Sequence, residues 1–365
     1  MRKHLLAAAL LASLAGCQNS DAPSSPSATT EQAGQSQADA QFAELSKKAL
    51  DTWMQLSPVG ATQIGDHRYD AELDDLSAAG QQKGLEASKA LLAELDRIDT
   101  SKLGRENQVD AAILRNQLQS DIWGNETLQS WQWDPQVYTG LAGSAIYGLM
   151  AREFAPLPER LKSATARIEK IPQIFAAARA NLDPARVPKI HAETVAKQNR
   201  GILSLVETFI VPNIGQLEAA DQERLKAAIA TLTTAVEEQQ TWLDKTLVPN
   251  AKGEFRIGAE KYDQKLKFSL NSSLSRAEIG ERARAELTRV RKDMYGIAQV
   301  VLKDKPGAPE MPADPTDEQQ QKAIEAALEL AYADKPARDK VVDDAKAALD
   351  QSTEFVRKHD LMTLP

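Results

Sequence analysis

The chain has 365 residues and a mass of 39.8 kDa, more than one ordinary hydrophobic core holds. With 42% hydrophobic and 26% charged residues, it is neither a wholly disordered chain nor a polytopic membrane protein. A net charge of −8 removes counterion release as a basis for nucleic-acid binding, and a single cysteine excludes a disulfide framework or a cysteine-based structural zinc site.

The amino terminus opens on Arg2, Lys3 and His4, followed by the apolar run Leu5 to Leu14. That run is too short to span a bilayer as a helix, which needs about 20 residues. A basic start, a short apolar core and small residues at its end form a secretory signal peptide. The end, Leu14-Ala15-Gly16-Cys17, resembles a bacterial lipobox. In such signals the chain is cleaved before the cysteine, whose sulfur takes a diacylglyceryl group and whose new amino group is acylated, commonly with palmitate. The alternative is an ordinary signal peptide with an incidental cysteine, but the sole cysteine stands at the required place. Residues 1–16 are therefore expected to be the signal peptide and Cys17 the lipidation site. Several acyl chains anchor firmly, because each buried methylene contributes about 0.8 kcal/mol. Gln18, where retention signals place Asp, points to the periplasmic face of the outer membrane.

Residues 18–40 contain no Val, Ile, Leu or aromatic side chain. Nothing there offsets the entropy of ordering a backbone, so residues 17–40 are expected to be a lipidated tether. The helical body is then expected to occupy residues 41–365.

Within the body the apolar spacing is helical. Val109, Ile113 and Ile122 share a face, as do Leu157, Leu161, Ala164, Ile168, Ile171 and Phe175, where Pro172 is expected to kink or interrupt the helix. Leu225, Ile229, Leu232, Val236, Leu243 and Leu247 outline a further helix. Ser275-Arg276-Ala277-Glu278 reads as a capping box before a stripe running from Ile279 through Leu287 and Ile297 to Val301. Thr316 to Gln319 repeats the device, and Val341, Ala345, Leu349 and Val356 outline the last helix. Between these helices Pro306, Pro309, Pro312 and Pro315 recur at the polyproline II period, the pattern of an extended connector. Strand signals are confined to Glu254–Ile257 and Lys265–Leu270. The expected class is all-α, with one or two short strands at most.

Catalytic motifs are absent. After signal cleavage the histidines are His67, His191 and His359, far apart in sequence and without the H-E-x-x-H spacing of a helical zinc site. An exposed or capping role suits each. No G-x-S-x-G elbow, phosphate loop or dinucleotide fingerprint occurs. Aromatic residues do cluster: Trp123, Trp131, Trp133 and Tyr138 surround Pro135, which ends any helix there. Such rings either line a substrate cleft or fill a junction between helical layers, and packing is their commoner use.

Four stretches, in this order, resemble the bacterial domain-of-unknown-function 885 family. They are Ser57 to Asp70 (SPVGATQIGDHRYD), the corner from Trp131 to Tyr138, Arg160 to Leu182 with its internal Ile171-Pro172, and Phe255 to Leu270. The resemblance implies a long helical body, frequently a secreted lipoprotein, similar in architecture to helical zinc carboxypeptidases with a central cleft. It also implies a metal segment, H-E-x-x-P-G-H, in the carboxyl-terminal half of longer members. That segment does not occur here, so no catalytic or metal residue is carried over. On this reading the chain is an incomplete amino-terminal portion of a zinc-dependent peptidase acting on peptides, and zinc belongs to the full-length protein. Trp131, Trp133, Tyr138, Tyr262 and Lys267 are the residues through which it would line the cleft. The competing reading is a non-catalytic helical lipoprotein that binds peptides or assists assembly.

Overall fold

A computed structural model describes residues 37–333 and 335–364. The expected signal peptide, Cys17 and the expected tether up to residue 36 lie outside the described residues. The fold is all-α, as the periodicity requires. Among the described residues there is no strand, and one isolated parallel bridge, Pro188 to Gly253, is the nearest approach to a sheet.

Both strand expectations fail. Lys265–Leu270 forms the end of a helix, Ala259–Leu270, and Glu254–Ile257 runs as irregular chain in which the Arg256 amide donates to the Glu254 carboxylate at 3.1 Å. The alternation in KLKFSL is real, but no neighbouring strand offers a ladder. A helix satisfies its own backbone groups without one.

The chain divides into two compact units, residues up to Ser272 and from Ser273 onward. In the first, helix α1 (Gln37–Leu56) begins four residues ahead of the expected body. Asp39 explains this start. Its Oδ1 accepts from the Gly104 amide at 2.9 Å and from Asn107 Nδ2 at 2.7 Å, tying a segment with no large apolar residue to the loop before α4. Helix α2 (Pro58–Ile64) follows, then a 3₁₀ turn His67–Tyr69, α3 (Ala78–Leu95) and α4 (Arg105–Trp123). Phe42, Leu45 and Ala49 of α1, Leu91 and Leu95 of α3, and Ala111, Leu114 and Leu118 of α4 close a first apolar core.

A larger core joins α5 (Gln136–Met150), α6 (Leu157–Asn181), α7 (Lys189–Gln198) and α8 (Ala219–Trp242). The expected stripes of α6 and α8 face it: Leu161, Ile168, Ile171, Leu225, Leu232 and Val236 are all fully buried. Pro172 lies inside α6 without ending it. An internal proline costs about 3 kcal/mol. Burial of Ile168, Ile171, Ile174 and Phe175 on the same helix offsets that cost.

Proline is accommodated differently at two other helix ends. Val211-Pro212-Asn213 and Val248-Pro249-Asn250 each follow a π turn, Val206–Ile210 and Leu243–Leu247. The missing N–H and the ring's clash with the preceding turn favour the wider turn. In both, the asparagine Nδ2 then donates to the carbonyl four residues back, Phe209 at 2.9 Å and Thr246 at 2.8 Å. Helix α9 (Ala259–Leu270) completes the first unit, packing Phe268 beside Trp123 with ring centroids 5.8 Å apart.

The second unit contains α10 (Arg276–Val301), α11 (Asp317–Ala333) and α12 (Val341–Lys358). Both capping boxes form. Ser275 and Glu278 satisfy each other's amides, as do Thr316 and Gln319. The small core consists of Tyr295, Ala298, Leu302 and Ala323. This is not the stripe expected on α10, whose Leu287 and Ile297 are 60% and 62% exposed. The proline-rich connector is bent rather than extended, with positive φ at Asp304 and Gly307, and the Tyr295 hydroxyl donates to the Pro312 carbonyl at 2.7 Å.

Candidate functional site

The aromatic corner arises where α4 runs out. After Trp123 the backbone widens into a π turn, Gly124–Leu128, and Gln129 takes a left-handed conformation with φ 51°. One short turn, Ser130–Trp133, leads to Pro135 and into α5. Two of the large side chains then close gaps in the backbone hydrogen bonding. Trp133 Nε1 donates to the Leu128 carbonyl at 2.8 Å. The Tyr138 hydroxyl donates to the Trp131 carbonyl at 2.6 Å and accepts from Asn181 Nδ2 at 3.1 Å. Tyr138 is fully buried, and that burial holds its hydroxyl above the ordinary value, against the Asn181 bond. Trp131 Nε1 is a buried donor without a hydrogen-bond partner among the described residues.

His191 joins this corner from α7. Its Nδ1 lies 3.4 Å from Asp134 Oδ1, and its ring is 6.1 Å from that of Trp133. Trp131, Trp133 and Tyr138, close in sequence, thus share this corner. The sequence does not show that His191 is half-buried beside them, because the partners are 57 residues apart.

Tyr262 and Lys267 belong to a different surface. They sit on α9, which is joined to α4 by the Asn116 side chain donating to the Phe268 carbonyl at 2.9 Å and by a bond between Trp123 and Gln264. Both are exposed, and neither side chain has a hydrogen-bond or ion-pair partner among the described residues.

A second polar assembly lies where the Ser57 to Asp70 stretch meets α6. Arg167 is wholly buried. Its guanidinium donates to the carbonyls of Glu72 at 2.9 Å, Pro58 at 3.0 Å and Ala145 at 3.3 Å, and to Thr62 Oγ1 at 2.7 Å. Burial pulls its pKa down, opposed by the charges of Asp70, Asp74 and Glu72. Thr62 in turn donates to Asp70 Oδ1 at 2.5 Å, and Asp70 Oδ2 meets His67 Nδ1 at 2.9 Å. His67 stacks on Phe154, 3.7 Å between centroids. Arg160, one heptad before Arg167, is also buried and donates to the carbonyls of Arg152 and Ala155, both at 2.9 Å, next to the end of α5.

The order of groups decides what this assembly does. In a nucleophilic triad the imidazole contacts the hydroxyl, and the carboxylate orients the imidazole. Here the carboxylate of Asp70 stands between Thr62 and His67, so His67 cannot take the Thr62 proton. The network instead neutralises a buried cation and fixes α2 against α5 and α6. One signal for it was visible: Arg160 and Arg167 fall within the apolar stripe of α6, where a cation requires buried acceptors.

The zinc implied by the family resemblance does not fit these residues. Among the described residues no three His, Cys, Asp or Glu side chains come together to hold a metal ion. His67 is bonded to the Asp70 carboxylate, His191 Nδ1 has the Asp134 carboxylate at 3.4 Å without a hydrogen bond, and the His359 ring is tilted by 46° against that of Phe355 at 4.5 Å. A shallow depression of about 370 Å³ opens beside Lys47, Asp51 and Tyr69, and none of the aromatic-corner residues lines it.

No described helix is long and apolar enough to cross a membrane. The fold matches a solved protein from Shewanella oneidensis described as a candidate lipoprotein of unknown function. The TM-score is 0.70 at 28% identity, over 89% of this chain and 58% of that one. The chain therefore spans less than two thirds of that relative. No curated protein matches it. The profile of the bacterial proteins of unknown function DUF885 matches residues 58–365, from the first residue of α2 through both capped helices. The chain belongs to this family, domain of unknown function 885.

Proposed function

We propose that this chain is the amino-terminal portion of a lipid-anchored, zinc-dependent peptidase of the bacterial envelope, carboxypeptidase-like in architecture. Acylated Cys17 holds it at the periplasmic face of the outer membrane, and residues beyond Pro365 carry the metal site. The observation supporting this reading is a mismatch of extent. The family profile and the structural match run through most of the chain, yet the structural match accounts for only 58% of the Shewanella protein, and the described residues contain no ligand cluster. A zinc held by residues outside this chain would supply Lewis-acid chemistry for peptide hydrolysis. This chain would contribute anchoring and the exposed side chains Tyr262 and Lys267 as peptide contacts.

The test compares two proteins: the 365-residue chain and the polypeptide obtained by extending its reading frame beyond residue 365. The longer protein is expected to bind one zinc and release residues from peptide carboxyl termini, and the shorter to do neither. Stoichiometric zinc with hydrolysis by the 365-residue chain alone overturns the placement of the site. A longer protein without zinc or hydrolysis favours the non-catalytic peptide-binding or assembly module. Cys17→Ser is expected to abolish labelling by radioactive palmitate.

A further inference from the structure

Among the described helices, α12 is the most two-faced. At 100° per residue, Val341, Ala345, Leu349, Phe355 and Val356 fall with Val342 on one arc of roughly 160°, and Ser352 and Thr353 are its only polar members. Asp343, Lys346, Asp350, Glu354 and Arg357 occupy the opposite side. An apolar arc of that width ordinarily faces a core. Here no residue of α12 is buried, and Val342, Leu349 and Phe355 are 65%, 66% and 57% exposed. Helix α10 of the same unit leaves Leu287 and Ile297 open in the same way. A patch of this kind marks an interaction surface.

We infer that the apolar face of α12 is the seat of a further helical layer, supplied by the part of the longer protein that this chain does not span. The inference rests on the reading above, and two observations favour this occupant. The structural relative has a large remainder outside the match, so polypeptide to cover the face exists in a protein of this fold. The charges argue against a bilayer, because a membrane-surface helix carries Lys and Arg on its polar face. On α12, Asp343, Asp344, Asp350 and Glu354 outnumber Lys346, Arg357 and Lys358.

Hydrogen exchange followed by mass spectrometry reads the outcome on the same two proteins. Amides of residues 345–357 are expected to exchange at least tenfold more slowly in the longer protein. Leu349→Asp is expected to remove that protection there and to leave the melting temperature of the 365-residue chain unchanged. If the longer protein binds zinc and hydrolyses peptides while residues 345–357 exchange equally fast in both, the docking inference fails and the peptidase reading stands. Protection without zinc leaves the docking intact and ends the peptidase reading. A genuine stop with no continuing polypeptide overturns both. Two results with the 365-residue chain alone also overturn the inference. One is a dimer in light scattering that Leu349→Asp dissociates. The other is flotation of the unacylated Cys17→Ser chain with anionic vesicles that the same substitution abolishes.

Discussion

Two sets of amphipathic helices in this chain meet different fates. In the unit ending at Ser272, the stripes of α6 and α8 are buried against each other and against α5, and even two arginines are drawn inside with their acceptors. In the unit beginning at Ser273, helices with equally regular stripes bury little beyond Tyr295, Ala298, Leu302, Ala323 and Ile324. Capping does not explain the difference, since the second unit has both capping boxes. Burial of the stripe does. Local signals are sufficient to start and stop a helix, but only a facing partner turns its apolar side into stability.

The sharpest way to break this comparison is at Arg167. Arg167→Met removes every donor while leaving Asp70 and several carbonyls buried, and breaking a buried charge network of this kind costs about 3–5 kcal/mol. Denaturant unfolding is expected to show that loss in the first unit. A loss below about 1 kcal/mol would mean that water replaces the guanidinium and that the network does not hold α2 in place.

The next largest effect comes from matched leucines. Leu232→Ala in the buried stripe of α8 is expected to cost about 2–5 kcal/mol, through lost transfer energy and the cavity left behind. Leu349→Ala in the open stripe of α12 is expected to stay within about 0.5 kcal/mol in the 365-residue chain. Equal costs in a urea titration would mean that α12 is covered after all.

A pH series separates the units more finely. Burial raises the Asp74 carboxyl above its ordinary value, although the Val59 amide, the Ser57 hydroxyl and the Arg167 charge all oppose the shift. The folded state then holds this proton at pH values where the unfolded chain has lost it. The associated stability is full below the ordinary carboxylate value and is lost as pH rises through the raised one. Glu278 in the second unit has the opposite sign. Hydrogen bonds from Ser275 lower it, so its contribution is present at neutral pH and is lost on acidification. Lowering the pH from 7 towards 4 is therefore expected to stabilise the wild type relative to Asp74→Asn. No change in that difference across the series would refute the burial shift.

The same contrast explains what was legible beforehand. Helical class and most helix positions follow from 3.6-residue spacing, which is a property of one segment at a time. The early start of α1 was not legible, because Asp39 acts on a loop 65 residues away. Nor was the buried side of α10. Leu287, Ile297 and Val301 outweigh Tyr295 and Ala298 on any hydropathy scale, yet the partner α11 and the folded-back connector meet the latter pair. At the candidate site, the aromatic corner was located from composition and Pro135 alone. That Tyr138 is inside, donating to Trp131, depends on the turn geometry around Gln129. Arg167 was the legible residue passed over, since a cation inside an apolar stripe is itself a signal.

The smallest effect lies in the second unit and tests whether its helices rely on local interactions. Ser275→Ala removes the acceptor for the Glu278 amide and the hydroxyl that donates to the Glu278 carboxylate, leaving that carboxylate only the backbone amide of residue 275. Loss of such a cap costs about 1 kcal/mol. In the first unit that sum would be diluted by tertiary contacts, but α10 is packed only near its carboxyl-terminal half, at Tyr295 and Ala298. Fraying is therefore expected to run from residue 276 towards Leu287, seen as faster amide exchange over that turn sequence with protection near Tyr295 retained. Uniform acceleration along all of α10 would show instead that cap and core unfold as one, and the distinction between a locally held and a tertiary-held unit would fall.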